Sequence, residues 1–169
     1  MAYGTPNTLK VIFTKMIIIT DWFSLVRQSS VVNETPYQVP RVAVLHQGRA
    51  TGLTVNGAIL EAQFTVNTDT YLLMLSDDCP YEETLRVYLL NTNHKIVDSA
   101  RLAYAYTSGV LRDIQVVGDN MLDFMFTGSS CYRLMIHDRP RHFWNASGGI
   151  GEVFRFLSKR RLEITREEN

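Results

Sequence analysis

Cations and aromatic rings stand together in one short segment near the C-terminal end of the sequence. Residues 138–144 read DRPRHFW and contain Arg139, Arg141, His142 and Trp144. A guanidinium group can donate two parallel hydrogen bonds to a carboxylate or phosphate, and arginine and tryptophan are enriched where binding energy concentrates at interfaces. We therefore predict a binding loop here for an acidic partner or an anionic ligand. The alternative is a solvated loop whose rings pack on the sheet. The tail adds the cations Arg155, Lys159, Arg160 and Arg161.

A second group of residues whose types could do chemistry is acidic. Its members share the connection between two apolar runs and are Asp77, Asp78, Glu82 and Glu83. Carboxylate oxygens are the ligands that Ca²⁺ prefers, so this connection is a candidate cation loop. The spacing differs from that of an EF-hand loop. The alternative is a solvated hairpin tip whose charges discourage pairing between sheet edges.

The sequence lacks the familiar catalytic and metal-binding motifs. It contains no GxSxG, HExxH, CxxC or P-loop pattern, and the residues Gly148, Gly149 and Gly151 predict a flexible link. His137 precedes Asp138, but adjacent strand residues point to opposite faces, so this pair is not expected to act together. We expect no metal and no cofactor. The four histidines are His46, His94, His137 and His142.

The elements that position these residues are short apolar runs closed by turn residues. The nine runs are rich in Val, Ile, Leu, Tyr and Phe, which favours strands, and cover residues 41–47, 53–55, 58–66, 70–76, 84–90, 95–104, 110–117, 121–127 and 131–137. Short turns between them require antiparallel neighbours. Asn56-Gly57 predicts a hairpin between the second and third runs. In residues 111–117 the alternation is imperfect, because Leu111 and Asp113 would share a face.

The predicted fold class is therefore all-β: an antiparallel meander of about eight or nine strands that forms a barrel or a sandwich. The two ends are less regular. Residues 17–28 and 152–168 each fit a helix or strands, and residues 138–151 are expected to be irregular. We predict one β-rich domain over residues 16–169, preceded by an added or mobile segment, residues 1–15. Met16 is a plausible alternative start.

Composition restricts the class of protein without identifying it. The 169 residues are 46% hydrophobic and 20% charged, which excludes a disordered chain, and 17 basic residues balance 17 acidic ones. Lys10, Lys15 and Asp21 interrupt the most apolar stretch, so we expect neither a signal peptide nor a membrane span. The two cysteines, Cys79 and Cys131, are too few for a disulfide framework and favour a reducing, cytoplasmic location.

These observations favour a non-catalytic binding or interaction module that uses the arginine and aromatic loop. Two other functions stay open: a small-molecule binder with its ligand in a barrel mouth, and a hydrolase or isomerase that uses a carboxylate and a histidine. Nucleic-acid binding is disfavoured by the net charge of +0. A protein partner or self-association is expected, since the chain is neutral and apolar at residues 17–19, and a homodimer is the simplest form.

Overall fold

The computed structural model of the chain is all-β. It describes residues 16–28, 39–79, 82–103, 106–142 and 159–167. The strands are β1 (Ile17–Ile19), β2 (Phe23–Arg27), β3 (Arg41–His46), β4 (Arg49–Asn56), β5 (Ile59–Val66), β6 (Thr70–Ser76), β7 (Thr84–Asn91), β8 (Ile96–Ala103), β9 (Arg112–Gly118), β10 (Met121–Met125), β11 (Cys131–Arg141) and β12 (Arg160–Glu167). Every strand pair is antiparallel, which confirms the predicted fold class. The described residues include no helix with the length and apolarity needed to cross a membrane.

The strands form three open sheets. The central sheet has the order β1-β5-β6-β7-β8, the four-stranded sheet the order β12-β11-β10-β9, and the three-stranded sheet the order β2-β3-β4. None of these sheets closes on itself within the described residues, so the arrangement is a sandwich and not the barrel that was the other prediction. The nine predicted runs correspond to β3–β11. The residues left open between helix and strand form β1, β2 and β12.

The central sheet is buried on both faces. Along β6, Leu72 and Met74 enter a core shared with the four-stranded sheet, whereas Leu73 and Leu75 enter a core shared with the three-stranded sheet. All four side chains are fully buried. A strand covered on both faces needs apolar residues at every position, which explains the unbroken run in this segment. Each fully buried side chain of this kind contributes about 1.5–3 kcal/mol.

The chain crosses between layers at Asn56-Gly57, where the sequence predicts a hairpin. That prediction is wrong, because β4 belongs to the three-stranded sheet and β5 to the central sheet. Gly57 N donates to Pro40 O, and Ala58 N donates to Ser76 O, so the corner is bonded to both sheets. The two-residue hairpin turn lies instead between β3 and β4, at Gln47 (φ 50°) and Gly48 (φ 73°). Two successive positive φ angles match the twist of paired strands.

Two further differences from the predicted pattern have local causes. Asp113 has φ 53°, and the pairing of β9 with β10 shifts register opposite it, so a β-bulge resets the alternation that the sequence breaks. As a result, both Leu111 and Ile114 pack against the core. The second difference concerns residues 138–141, predicted to be irregular: they continue β11, which ends at Arg141.

We predict that Gly57→Ala destabilises the fold more than Gly48→Ala. Gly57 has φ +131°, and an added Cβ would lie 2.9 Å from Leu75 Cβ, whereas at Gly48 (φ +73°) a Cβ would meet no atom within 4 Å. Both changes strain the backbone by about 1–2 kcal/mol, and Gly57→Ala adds an overpacking cost of about 1–3 kcal/mol. Urea unfolding of both variants measures the difference. Equal losses of stability would contradict the close approach of the corner to β6.

Candidate functional site

The predicted binding residues lie at the far end of β11. Arg139, Arg141 and His142 are exposed, and the first two belong to the strand itself, not to a loop. Trp144 lies outside the described residues. We call Arg139, Arg141, His142 and the exposed Lys159 the cationic end of β11. The side chains of these residues have no ion pair or hydrogen bond within the described part of the chain, so their donors face solvent.

A large irregularity separates the cationic end from the regular part of β11. Ile136 pairs with Leu162, but the next pair joins Arg141 to Arg160, so β11 advances five residues while β12 advances two. Pro140 lies within this bulged stretch and has no N–H to give to a ladder. The register pairs Arg141 with Arg160, whose guanidinium group bonds to Ser99 O and lies near Asp98 on β8.

Residues next to the cationic end are neutralised by partners from other strands. Arg160 donates from Nη2 to Ser99 O at 2.6 Å, and its Nε lies 3.7 Å from Asp98 Oδ1. His137 is buried, and its Nε2 lies 2.8 Å from Glu163 Oε2. The carboxylate that pairs with His137 therefore comes from β12. Asp138 is adjacent in sequence, but neighbouring residues of a strand point to opposite faces. These pairs connect the residues beside the cationic end to β8 and β12.

Asp98 joins the margins of two sheets. Its Oδ2 accepts hydrogen bonds from the backbone N–H of Arg161 at 2.6 Å and of Leu162 at 2.8 Å. The side chain is only 11% exposed. A carboxylate from β8 thereby replaces the missing neighbour strand of β12. This contact positions β12, and through it the cationic end, relative to the central sheet.

The four residues of the predicted cation loop do not share one role. Asp77 forms a two-pronged pair with Arg86, with both oxygens 2.7 Å from guanidinium nitrogens. Glu83 is buried and accepts hydrogen bonds from the backbone N–H of Asp77, Cys79 and Thr84, at 2.8, 3.0 and 3.0 Å. Asp78 and Glu82 are exposed. Two of the four carboxylates therefore organise the connection between β6 and β7. The described residues contain no group of three or more acidic, histidine or cysteine side chains placed to hold a metal ion.

Burial and ion pairing have opposite effects on the pKa of Arg86. Burial alone lowers the pKa of its guanidinium, but the hydrogen bonds and negative charge of Asp77 outweigh it, and the pKa is raised overall. Arg86 and Asp77 are 11% and 9% exposed. A charge this far from water needs a paired and hydrogen-bonded partner, and the pair supplies one. Asp77 is thus committed to the fold.

A cluster of aromatic rings and two histidines is the main feature that the sequence analysis missed. It lies at one end of the space between the central and three-stranded sheets, and its members are Trp22, Phe23, His46, Tyr71 and His94. His46 stacks on Phe23 with ring centroids 4.6 Å apart and an interplanar angle of 18°. His94 Nε2 lies 3.0 Å from His46 Nδ1. Gln63 hydrogen-bonds both the N–H and the C=O of Phe23, which fixes the ring that supports His46.

The histidine pair disfavours protonation of His46. Burial and the nearby positive charge of His94 both lower the pKa of His46 from its ordinary value of 6.5. The Nε2 atom of His46 is also buried and has no hydrogen-bond partner among the described residues. A protonated ring would place an unsatisfied N–H there. No local signal reveals this pair, since the two histidines are far apart in sequence and only the packing of the two sheets brings them together.

The two cysteines, Cys79 and Cys131, are both free and partly exposed.

In comparisons of the chain with protein-family models, curated proteins and solved structures, no match was found. The function is therefore argued from the residues themselves.

We predict that Glu83→Ala lowers the free energy of unfolding by about 2–3 kcal/mol, because it removes the acceptor of several buried N–H groups. Glu82→Ala, at an exposed neighbouring position, is the matched control and should change stability by less than about 0.5 kcal/mol. Chemical denaturation measures both. Equal effects of the two changes, or a large rise in melting temperature on adding Ca²⁺, would contradict a purely structural Glu83.

We also predict that the fold loses stability as the pH falls below the ordinary histidine pKa. The folded-state pKa of His46 is lowered, so the unfolded chain takes up a proton first, and stability present above pH 6.5 is lost on acidification. His46→Gln should therefore reduce the fall in melting temperature between neutral and mildly acidic buffer. His142→Gln removes an exposed histidine and should leave that fall unchanged. Identical pH profiles for wild type and His46→Gln would refute this assignment.

Proposed function

We propose that the protein is a non-catalytic interaction module that binds an acidic segment of a protein partner through the cationic end of β11. The observation that carries the proposal is the cluster of Arg139, Arg141, His142 and Lys159, exposed and without counter-ions among the described residues. Arg141 pairs with Arg160 in the ladder, so no acidic residue lies opposite it on β12. A bound carboxylate would supply that counter-ion.

The spacing of the two arginines suggests the form of the partner. Arg139 and Arg141 are two positions apart on β11, and an extended chain covers about 7 Å over two residues. An extended peptide with Asp or Glu at alternate positions has the same spacing. Two guanidinium groups would then each meet one carboxylate. The nearby carboxylates Asp98 and Glu163 pair with Arg160 and His137, and not with the exposed residues of the cationic end.

A protein partner fits the charge of the molecule better than a nucleic acid. The net charge is +0, so the chain lacks the excess of basic residues that neutralises the many phosphates of a nucleic acid. The small-molecule binder required a closed barrel, and none of the sheets closes on itself within the described residues. The carboxylate–histidine enzyme required the acidic connection to meet a histidine. Asp77 and Glu83 instead bond Arg86 and backbone N–H groups, and the histidine–carboxylate pair that forms, His137 with Glu163, lies on β11 and β12.

We predict that Arg139→Ala with Arg141→Ala weakens binding of a labelled peptide of alternating Glu and Thr about tenfold, since two exposed ion pairs of up to about 1 kcal/mol each are lost. The effect should be largest at low salt, and the melting temperature should hardly change. The matched control, Arg41→Ala with Arg49→Ala, removes the same charge from exposed positions of β3 and β4. Fluorescence anisotropy and thermal melts provide the measurements.

Three results would contradict this proposal. The first is a melting temperature lowered by several degrees with peptide binding unchanged, which would make the arginines structural. The second is equal weakening by the β3 and β4 control, which would indicate attraction to any positive charge. The third is tighter binding of a single-stranded oligonucleotide of equal charge, which would move the partner to another class. A peptide with Gln in place of Glu should not bind.

A further inference from the structure

Strand β1 forms an open margin of the central sheet. Among the described residues it pairs with β5 alone. In an antiparallel ladder, alternate residues direct their N–H and C=O groups to the same neighbour. Met16 O accepts a hydrogen bond from Asn67 N, just after β5, and Thr20 N donates to Gln63 O within β5, so the N–H and C=O groups of even-numbered positions face β5. The N–H and C=O groups of Ile17 and Ile19 therefore point away from the sheet.

The side chains at this margin are apolar and exposed. Met16, Ile18 and Ile19 are 53%, 48% and 72% exposed, and β1 carries no charge. Proteins usually protect such an edge with a lysine, a proline, a β-bulge or a very short strand, because an unprotected edge recruits another strand. β1 is short, at three residues, but it contains no lysine, proline or β-bulge. Its outward backbone groups and its aliphatic side chains both fit an added strand.

We propose that two copies of the chain associate through β1, antiparallel about a two-fold axis that passes through Ile18. In this register Ile17 lies opposite Ile19 of the second copy, and the two Ile18 residues face each other. Both members of the pair Ile17 and Ile19 have outward N–H and C=O groups, which is the condition for a hydrogen-bonded antiparallel pair. Four hydrogen bonds then join two central sheets into one.

The occupant is a second copy because the edge is complementary to itself. The outward residues are two positions apart, so a two-fold axis between them satisfies both without leaving an unpaired group. A net charge of +0 removes the repulsion that keeps charged proteins apart. The margin at β9 is less suitable, since the bulge at Asp113 and the charge of Arg112 interrupt it. The margin at β8 already contacts β12 through Asp98.

Three-residue strands bury a small area, so the association should be weak and depend on concentration. Sedimentation velocity of the full chain from about 5 to about 500 µM should show a monomer converting to a dimer. Ile18→Lys should remain monomeric throughout, because two lysines would face each other at the axis. Val117→Lys is the matched control at the β9 margin, with 42% exposure in the wild type, and should dimerise normally.

Mixing charge variants tests the two-fold register. Ile18→Lys and Ile18→Glu should each be monomeric alone and should associate when mixed, because opposite charges then meet at the axis. A wild type that stays monomeric at every concentration would overturn the proposal, and would mean that the edge is unoccupied or covered by the chain's own residues. Failure of the mixed variants to associate would also overturn it, as would loss of the dimer in Val117→Lys.

A cysteine variant keeps the test decisive if a charge at position 18 prevents folding. Residues that face each other in a non-hydrogen-bonded pair have Cα atoms about 4.5 Å apart, within the range that a disulfide spans. Ile18→Cys should therefore form a covalent dimer on mild oxidation. Ile19→Cys should not, because it would face Ile17. The wild type measures how much cross-linking comes from Cys79 and Cys131, and equal cross-linking of all three proteins would overturn the proposal.

The variant with Arg139→Ala and Arg141→Ala should dimerise like the wild type, which separates this inference from the proposed function.

Discussion

Burial of the central sheet on both faces is the constraint on which the rest of the structure depends. Because β6 and β7 supply apolar side chains to two cores at once, each face must be covered by a separate sheet. The chain therefore has to pass between layers, as it does at Gly57. The one charged side chain in the middle of β7, Arg86, is accommodated by a two-pronged pair with Asp77 at the edge of the core. An unpaired charge there would be prohibitively costly.

Three carboxylates of the described residues organise backbone groups and strand margins. Asp98 accepts N–H groups of β12, Glu83 accepts those of the β6–β7 connection, and Asp123 pairs with Arg133 across β10 and β11. The Asp123 pair also shows the electrostatic effect directly, since its hydrogen bonds to Arg133 hold the pKa of Asp123 below the ordinary value. These three acidic groups are thus bonded within the protein and do not neutralise Arg139, Arg141, His142 or Lys159.

The candidate site was predictable in composition and partly in position. The arginines at 139 and 141 stand out in the sequence because cations and aromatic residues cluster there, and the structure leaves both exposed. Their place on a strand was not predictable, because the bulged pairing with β12 depends on residues far away in sequence. The acidic connection shows the opposite case. Its four carboxylates look equivalent in sequence, yet Glu83 turns inward to backbone N–H groups while Glu82 stays in solvent.

The sequence by itself determined that nine segments, β3–β11, are strands, because the two-residue alternation, the β-branched composition and the turn residues act within a few positions of each other. It left β1, β2 and β12 open between helix and strand. It also determined that consecutive strands from β3 to β11 are antiparallel, since the connections between them are too short for crossovers. Only the tertiary structure decided which sheet each strand joins. Asn56-Gly57 is a hairpin signal locally, but Gly57 lies where the chain leaves β4, in the three-stranded sheet, and enters β5 of the central sheet that it covers. His46 and His94 meet for the same reason. The packing of the central sheet against the three-stranded sheet brings together two residues that are far apart in sequence.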